Sequence, residues 1–76
     1  MAIDSESIGR RIKHYRSEKK LSQEELATAI FITPRHVSNL ETGAKAPSLE
    51  MMISIANALD VSADDLLTDN LKHSSS

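Results

Sequence analysis

The chain has 76 residues, nine of them Lys or Arg and eleven Asp or Glu, which gives a net charge of −2. This length predicts one domain near the lower limit for a self-supporting core, and the absence of cysteine excludes disulfides and thiolate metal sites. The polar, acidic start is unlike a signal peptide and no stretch reaches the length of a membrane span, so we expect a cytoplasmic protein without membrane association.

The first predicted helix runs from about Ser5 or Glu6 to Lys19. Its apolar residues recur at helical spacing and predict a buried stripe formed by Ile8, Ile12 and Tyr15. Basic residues are concentrated on this helix and directly after it: Arg10, Arg11, Lys13, Arg16, Lys19 and Lys20. Cationic residues on a short helix usually form only a solvated face, but they are also candidates for contact with phosphates.

A second, shorter helix is predicted to begin after Ser22. Ser22 is a good N-cap, and Glu25 three residues later completes a capping box. Leu26, Ala27 and Ile30 follow at helical spacing and give the helix one apolar face. The pattern breaks directly after Ile30, so the second helix ends there.

The third predicted helix begins after only about three connecting residues. Thr33 is its N-cap, and Pro34 suits the first helical position because its missing N–H is not needed there. Gly43 can end the helix in a left-handed conformation. Two short helices joined in this way are typical of the helix-turn-helix motif.

The third helix has two chemically different faces. Val37 and Leu40 point inward, and Glu41 lies at the edge of that face. The outward face carries Arg35, Ser38, Asn39 and Thr42, flanked by Pro34 and His36. Arg suits guanine, Asn suits adenine, and Ser or Thr suits either base. An ordinary solvated face would look similar, and the flanking chain favours the base-reading interpretation.

Two further helices complete the predicted fold. After a loop with Lys45 exposed, Ser48 caps a fourth helix with an inner face of Leu49, Met52, Ile53, Ala56 and Leu59. Ser62 and Asp65 form a capping box for a short fifth helix. The sequence therefore predicts an all-α, five-helix domain over residues 5–69 and a flexible tail over residues 70–76.

The net charge hides an uneven distribution. Between residues 10 and 45 there are eight Lys or Arg against four acidic residues, whereas from residue 48 onward one Lys stands against five acidic residues. The basic part can therefore contact a nucleic-acid backbone although the whole chain is acidic. One Tyr, one Phe and no Trp leave little aromatic surface for stacking unpaired bases.

Three segments in this order resemble the lambda repressor/Cro-like helix-turn-helix family, also called the xenobiotic-response-element family. They are LSQEELA, the E-x-G-x-x-x-P-S pattern from Glu41 to Ser48, and IANALDVSADDLL. The similarity extends from Ile8 to Leu67. It implies a compact five-helix DNA-binding domain that usually acts as a dimer on an inverted repeat, often as a repressor.

The resemblance also implies roles for single residues. It places at or beside the base-reading positions Thr33, Pro34, Arg35, Ser38 and Asn39. It implies a phosphate contact from Gln23, and a pair between Arg16 and Glu41 that ties the first helix to the third. The phosphate contacts that we expect come from Arg11, Arg16, Gln23, His36, Thr42 and Lys45.

Two positions depart from the family pattern. Phe31 stands where the turn usually has glycine, and Lys20 stands where a glycine commonly precedes LSQEELA. A positive φ at Phe31 would cost about 1–2 kcal/mol, unless the turn adopts another shape. Pro34 has no side-chain hydrogen bond to offer, which limits it to apolar contact, for instance with a thymine methyl group.

The sequence thus predicts a sequence-specific regulator that binds double-stranded DNA, reading a palindromic operator as a homodimer. We expect the dimer interface to include Leu66, Leu67 and Leu71, unless these leucines finish the monomer core. The alternative function is a protein-interaction module such as the antitoxin of a toxin-antitoxin pair. His14 and His36 lie on different helices without cysteine or an obvious carboxylate partner, so we expect no metal site. No nucleophile–base pair, glycine-rich phosphate loop or carboxylate pair stands out, so we expect no cofactor and no enzymatic activity, and no small-molecule effector is evident.

Overall fold

The structure, a computed structural model, describes residues 4–67. Its five helices are α1 (Ser5–Glu18), α2 (Gln23–Ala29), α3 (Pro34–Thr42), α4 (Leu49–Leu59) and α5 (Ala63–Leu66). The predicted all-α, five-helix architecture is confirmed, with α1 ending one residue earlier than expected. None of the helices in this part of the chain is long and apolar enough to cross a membrane.

The predicted helix starts are confirmed by hydrogen bonds. The Glu25 N–H donates to the Ser22 hydroxyl at 3.0 Å, and the Ser22 N–H donates to the Glu25 carboxylate at 2.8 Å. The same reciprocal pair joins Ser62 and Asp65 at the start of α5. These bonds satisfy N–H groups that the first turn of a helix leaves unpaired, so local sequence decides where each helix begins.

The core lies between the five helices: α3 packs against α1 and α2, α4 packs against α1, α2 and α5, and α5 also packs against α1. The buried apolar side chains are Ile8, Ile12, Leu26, Ala27, Val37, Leu40, Met52, Ile55, Ala56, Leu59 and Leu66. Each fully buried Leu or Ile contributes about 1.5–3 kcal/mol relative to an exposed one. Tyr15 and Ile30, predicted on the apolar faces of their helices, are only half-buried and pack against this core.

The predicted inner face of α4 was wrong at two positions. Leu49 and Ile53 are 72% and 46% exposed, whereas Ile55 is fully buried. At 3.6 residues per turn, Ile53 points about 110° away from the centre of the stripe formed by the buried residues of this helix. Leu49 lies in the first turn, where the neighbouring helices no longer cover it.

Both glycines of the chain lie where α1 approaches α3. A Cβ atom added to Gly9 would come within 2.5 Å of the carbonyl oxygens of Leu40 and Glu41. Gly43 ends α3 with φ at +85°, and a Cβ there would come within 2.7 Å of the Glu6 side chain. The close approach of the two helices therefore depends on the absence of a side chain at both positions.

Three other residues adopt the left-handed conformation. Phe31 has φ at +62°, and Lys20 has φ at +58°, both at positions where the family pattern has glycine. The turn therefore keeps the shape that glycine favours, and Phe31 bears the strain of about 1–2 kcal/mol. Its side chain is 94% exposed and recovers little packing energy. Asp60 has φ at +57°, which a short polar side chain tolerates better.

Candidate nucleic-acid interface

The outward face of α3 presents polar side chains that the protein itself does not use. Arg35 is exposed, and Ser38 and Asn39 are half-buried. Within residues 4–67 the side chains of these three residues make no hydrogen bond or ion pair. Val37 and Leu40 anchor the opposite side in the core. The helix is thus held firmly on one side and offers free donors and acceptors on the other.

The start of α3 is fixed by its cap. The Thr33 hydroxyl accepts a hydrogen bond from the His36 N–H at 3.1 Å and can still donate its own hydrogen to a ligand. Pro34 is exposed and presents an apolar ring beside Arg35. His36 is half-buried. The predicted base-reading residues therefore all lie on α3 or on its N-cap.

The other end of the helix is fixed by backbone contacts. The Thr42 hydroxyl donates to the Asn39 carbonyl oxygen at 3.3 Å and accepts from the Ala44 N–H at 3.4 Å. The Lys45 N–H donates to the same Asn39 carbonyl at 3.1 Å. Lys45 is exposed, so the loop after α3 holds a cation near the C-terminal end of the outward face of that helix.

Arg16 and Glu41 form the pair that the family resemblance implies. Arg16 Nε lies 2.6 Å from Glu41 Oε2, and a second guanidinium nitrogen lies 3.2 Å from Oε1. The third nitrogen donates to the Leu21 carbonyl oxygen at 2.7 Å. Three of the five guanidinium N–H groups are thereby engaged and the side chain is 12% exposed, so the pair is present and the phosphate contact also expected of Arg16 stays a prediction.

Gln23 joins this pair, which the sequence did not predict. Its Nε2 donates to Glu41 Oε1 at 3.0 Å. Gln23 is the first residue of α2, and Glu41 lies on the buried side of α3. The spacing of these two residues along the chain does not show that α2 and α3 bring them together, so the sequence offered little indication of this contact.

The other expected phosphate contacts come from separate elements. Arg11 on α1 is half-buried, and Thr42 and Lys45 are exposed.

No group of three or more His, Cys, Asp or Glu side chains in residues 4–67 is arranged to hold a metal ion.

The leucines predicted at a dimer interface differ in position. Leu66 is 1% exposed and fills the core between α5 and its neighbours, so the interface role expected of it is corrected to a core role. Leu67 is half-buried and packs against the same core. Leu71 lies outside the described residues. Of the two described leucines expected at the interface, only Leu67 is not fully buried.

Comparisons with known proteins agree with this geometry. A family model described as helix-turn-helix matches residues 12–66. The chain is 36% identical over 63 residues to the HTH-type transcriptional regulator SinR of Bacillus subtilis, covering 82% of this chain and 57% of SinR. A crystal structure of SinR in complex with DNA shares 38% identity at a TM-score of 0.75, covering 79% of this chain and 97% of that chain. The clp gene regulator ClgR from Corynebacterium glutamicum shares 30% identity at a TM-score of 0.86, covering 95% of this chain and 77% of that chain.

The fold also occurs inside longer proteins. The chain spans about a third to a half of the length of several curated relatives that it matches. Hydroxypropylphosphonic acid epoxidase from S. wedmorenis is 25% identical at a TM-score of 0.79, with 88% of this chain covering 36% of the epoxidase. Because part of an enzyme has the same fold, the fold alone does not determine the function, which depends on the side chains at the surface of α3.

Proposed function

This chain belongs to the lambda repressor/Cro-like helix-turn-helix family, and on that premise we propose that it is a sequence-specific regulator of transcription that binds double-stranded DNA. One observation carries the proposal. Arg35, Ser38 and Asn39 share the outward side of α3 and have no partner within the described residues. A solvated helix usually carries acidic side chains as well, whereas every polar group here suits a base edge.

In the proposed complex, α3 enters the major groove and α2 lies across the DNA backbone. The major groove is wide enough for one α-helix and displays a distinct pattern for each base pair. Arg35 near the start of α3 reaches a guanine, Asn39 reaches an adenine, and the Pro34 ring contacts a thymine methyl group. Ser38 lies between Arg35 and Asn39 and serves either base.

Contacts with phosphates fix the register of α3 on the DNA. Lys45 at the C-terminal end of the face and Gln23 at the start of α2 border α3 on two sides. Arg11, His36 and Thr42 add to these contacts, as does Arg16 through the N–H groups that its pair with Glu41 leaves free. Such contacts supply affinity for any sequence, whereas α3 supplies the preference among sequences.

The proposal includes two copies of the chain on a palindromic operator. One recognition helix reads only a few base pairs, which is too few for discrimination within a genome. A two-fold dimer through the acidic C-terminal part keeps the basic face free, with Leu67 and Leu71 as its apolar contacts. The recognition helices would then lie about 34 Å apart, one turn of DNA. Such a protein acts as a repressor in the cytoplasm, without catalysis.

Selection of bound sequences from a random double-stranded DNA library tests the proposal. The wild-type chain should enrich an inverted repeat, and the Arg35→Ala variant should lose preference at one or two positions of each half-site. Enrichment of a single half-site would support sequence-specific DNA binding and contradict the dimer. No enrichment above background would contradict the proposed function and favour the protein-interaction module.

A further inference from the structure

Gln23 and Glu41 are joined by a hydrogen bond whose direction is decided by chemistry. Gln23 Nε2 lies 3.0 Å from Glu41 Oε1. An ionised carboxylate can only accept, so the amide nitrogen and not the amide oxygen must face it. Arg16 holds the same carboxylate from the other side, with contacts of 2.6 and 3.2 Å. The Glu41 side chain is 2% exposed, so its position is fixed by its surroundings.

The amide of Gln23 has hydrogen-bonding capacity to spare. Its nitrogen carries two hydrogens, and the bond to Glu41 uses one of them. The bond to Glu41 is the only side-chain hydrogen bond of Gln23 within residues 4–67. The amide oxygen of Gln23 has no partner within the described residues and is not among their buried unpartnered atoms, so the amide reaches solvent. One N–H is therefore available at the start of α2.

We propose that Glu41 is a positioning residue for DNA binding, which orients the Gln23 amide so that its second Nε2 hydrogen is presented to a phosphate oxygen. This inference rests on the proposed function. A glutamine side chain that is already held in its binding rotamer loses no rotamer freedom when DNA binds, so the entropy cost of the contact is lower. Arg16 neutralises Glu41, so the carboxylate does not repel the phosphate.

The same bond couples the two helices of the motif. Gln23 belongs to α2 and Glu41 belongs to α3, the helix that carries the base-reading side chains. A phosphate held by Gln23 is therefore fixed relative to Arg35 and Asn39 through one short chain of contacts. Loss of Glu41 is expected to weaken binding to every sequence while the preference among sequences remains.

A double-mutant cycle on DNA affinity tests the inference. The variants are Gln23→Ala, Glu41→Gln and both together, measured with operator and unrelated DNA at a temperature where each variant is folded. Gln23→Ala should weaken both DNAs about tenfold, the size expected for one hydrogen bond to a charged group. Glu41→Gln leaves one acceptor oxygen for three donors and should weaken binding several-fold in the wild-type background. In the Gln23→Ala background it should not weaken binding further, because the loss of the carboxylate charge beside Arg16 acts alike in both backgrounds.

Unfolding measurements separate positioning from structure. Glu41→Gln should lower stability in both backgrounds, because its ion pair with Arg16 is lost in each and only the weaker bond to Gln23 differs between them. An equal loss of affinity in both backgrounds, or none in either, would overturn the inference and leave the proposed function standing. A wild-type chain that binds no DNA would overturn both together.

A second measurement needs no variant. Gln23 is the only glutamine of the chain, so its side-chain amide gives one identifiable pair of NMR signals. In the free protein this amide should have an order parameter close to that of the backbone, whereas the exposed Asn57 amide should be mobile. A Gln23 amide as mobile as that of Asn57 would also overturn the inference.

Discussion

Arg16 and Glu41 lie 25 positions apart in sequence and form a doubly hydrogen-bonded ion pair, with side chains that are 12% and 2% exposed. The pair links α1 to α3 through the interior of the domain. Buried charges need further hydrogen bonds, and both partners have one: the Arg16 guanidinium also donates to the Leu21 carbonyl oxygen, and the Glu41 carboxylate also accepts from the Gln23 amide. Removing one partner would leave the other charge buried without compensation.

We therefore expect Glu41→Ala to lower the free energy of unfolding by about 3–5 kcal/mol, since the Arg16 guanidinium loses its counterion inside the protein. A double-mutant cycle with Arg16→Ala, measured by chemical denaturation, should show coupling above about 1 kcal/mol. The exposed pair of Lys19 and Asp60, at 3.5 Å, is the matched control. Lys19→Ala should cost less than about 1 kcal/mol. Additive effects of the Arg16 and Glu41 changes would show that the two are not in contact in solution.

Arg35 should carry sequence preference. It is exposed near the start of α3 and has no partner within the described residues, so its guanidinium can make a bidentate contact with guanine. Arg35→Ala should cost about 1–3 kcal/mol on the selected operator and relax preference at one or two positions. Lys45→Ala is the control, because a phosphate contact should weaken all sequences alike and lower the salt dependence by about one unit of slope. An unchanged operator preference in Arg35→Ala would refute the assignment of the reading face.

Gly9 should not accept a side chain. In an ordinary helix, Gly→Ala stabilises by about 0.5–1 kcal/mol, but a Cβ at Gly9 would lie 2.5 Å from two carbonyl oxygens of α3. Gly9→Ala should therefore lower the free energy of unfolding by about 1–3 kcal/mol, as overpacked cores do. Ser17→Ala, on the exposed side of the same helix, should change it by less than about 0.5 kcal/mol. A Gly9→Ala variant as stable as wild type would show that α1 and α3 lie farther apart than described.

Phe31 should be replaceable by glycine with a gain in stability. Its φ of +62° is strained for a residue with a Cβ, and its side chain is 94% exposed, so little packing is lost. The relief of about 1–2 kcal/mol exceeds the entropy cost of glycine, and Phe31→Gly should raise the free energy of unfolding by up to about 1 kcal/mol. Phe31→Ala keeps the strain and serves as the control, with a change within about 0.5 kcal/mol. Equal stabilities of the two variants would mean that the turn carries no strain.

The proposed dimer predicts a change in sedimentation. At tens of micromolar the wild-type chain should sediment as a dimer, at least in the presence of operator DNA, and Leu71→Glu should shift it to monomer. Leu67→Glu should act in the same direction, with its stability measured in parallel because Leu67 also packs against the core. Phe31→Ser, which removes an exposed aromatic group elsewhere, should leave assembly unchanged. A monomer with and without DNA would contradict the dimer.

The helix boundaries and the polar outward face of α3 could be predicted from sequence because they depend on local chemistry. A cap such as Ser22 or Thr33 bonds to an N–H only three residues away, and Gly43 ends α3 through its own backbone freedom. The two sides of α3 differ in polarity residue by residue, which separates Val37 and Leu40 from Arg35. Neither inference requires knowledge of what any other helix does.

The choice between Ile53 and Ile55 was also local, because Met52, Ile55, Ala56 and Leu59 recur at helical spacing and Ile53 lies about 110° from the centre of their stripe. Only the tertiary structure decided which distant residues meet. Leu66 is inside because α5 packs against α1 and α4, and Gly9 matters because α1 approaches α3 at that point. Gln23 meets Glu41 because two helices place them 3.0 Å apart. Contacts between distant residues depend on how whole helices pack, and spacing along the chain carries no record of that packing.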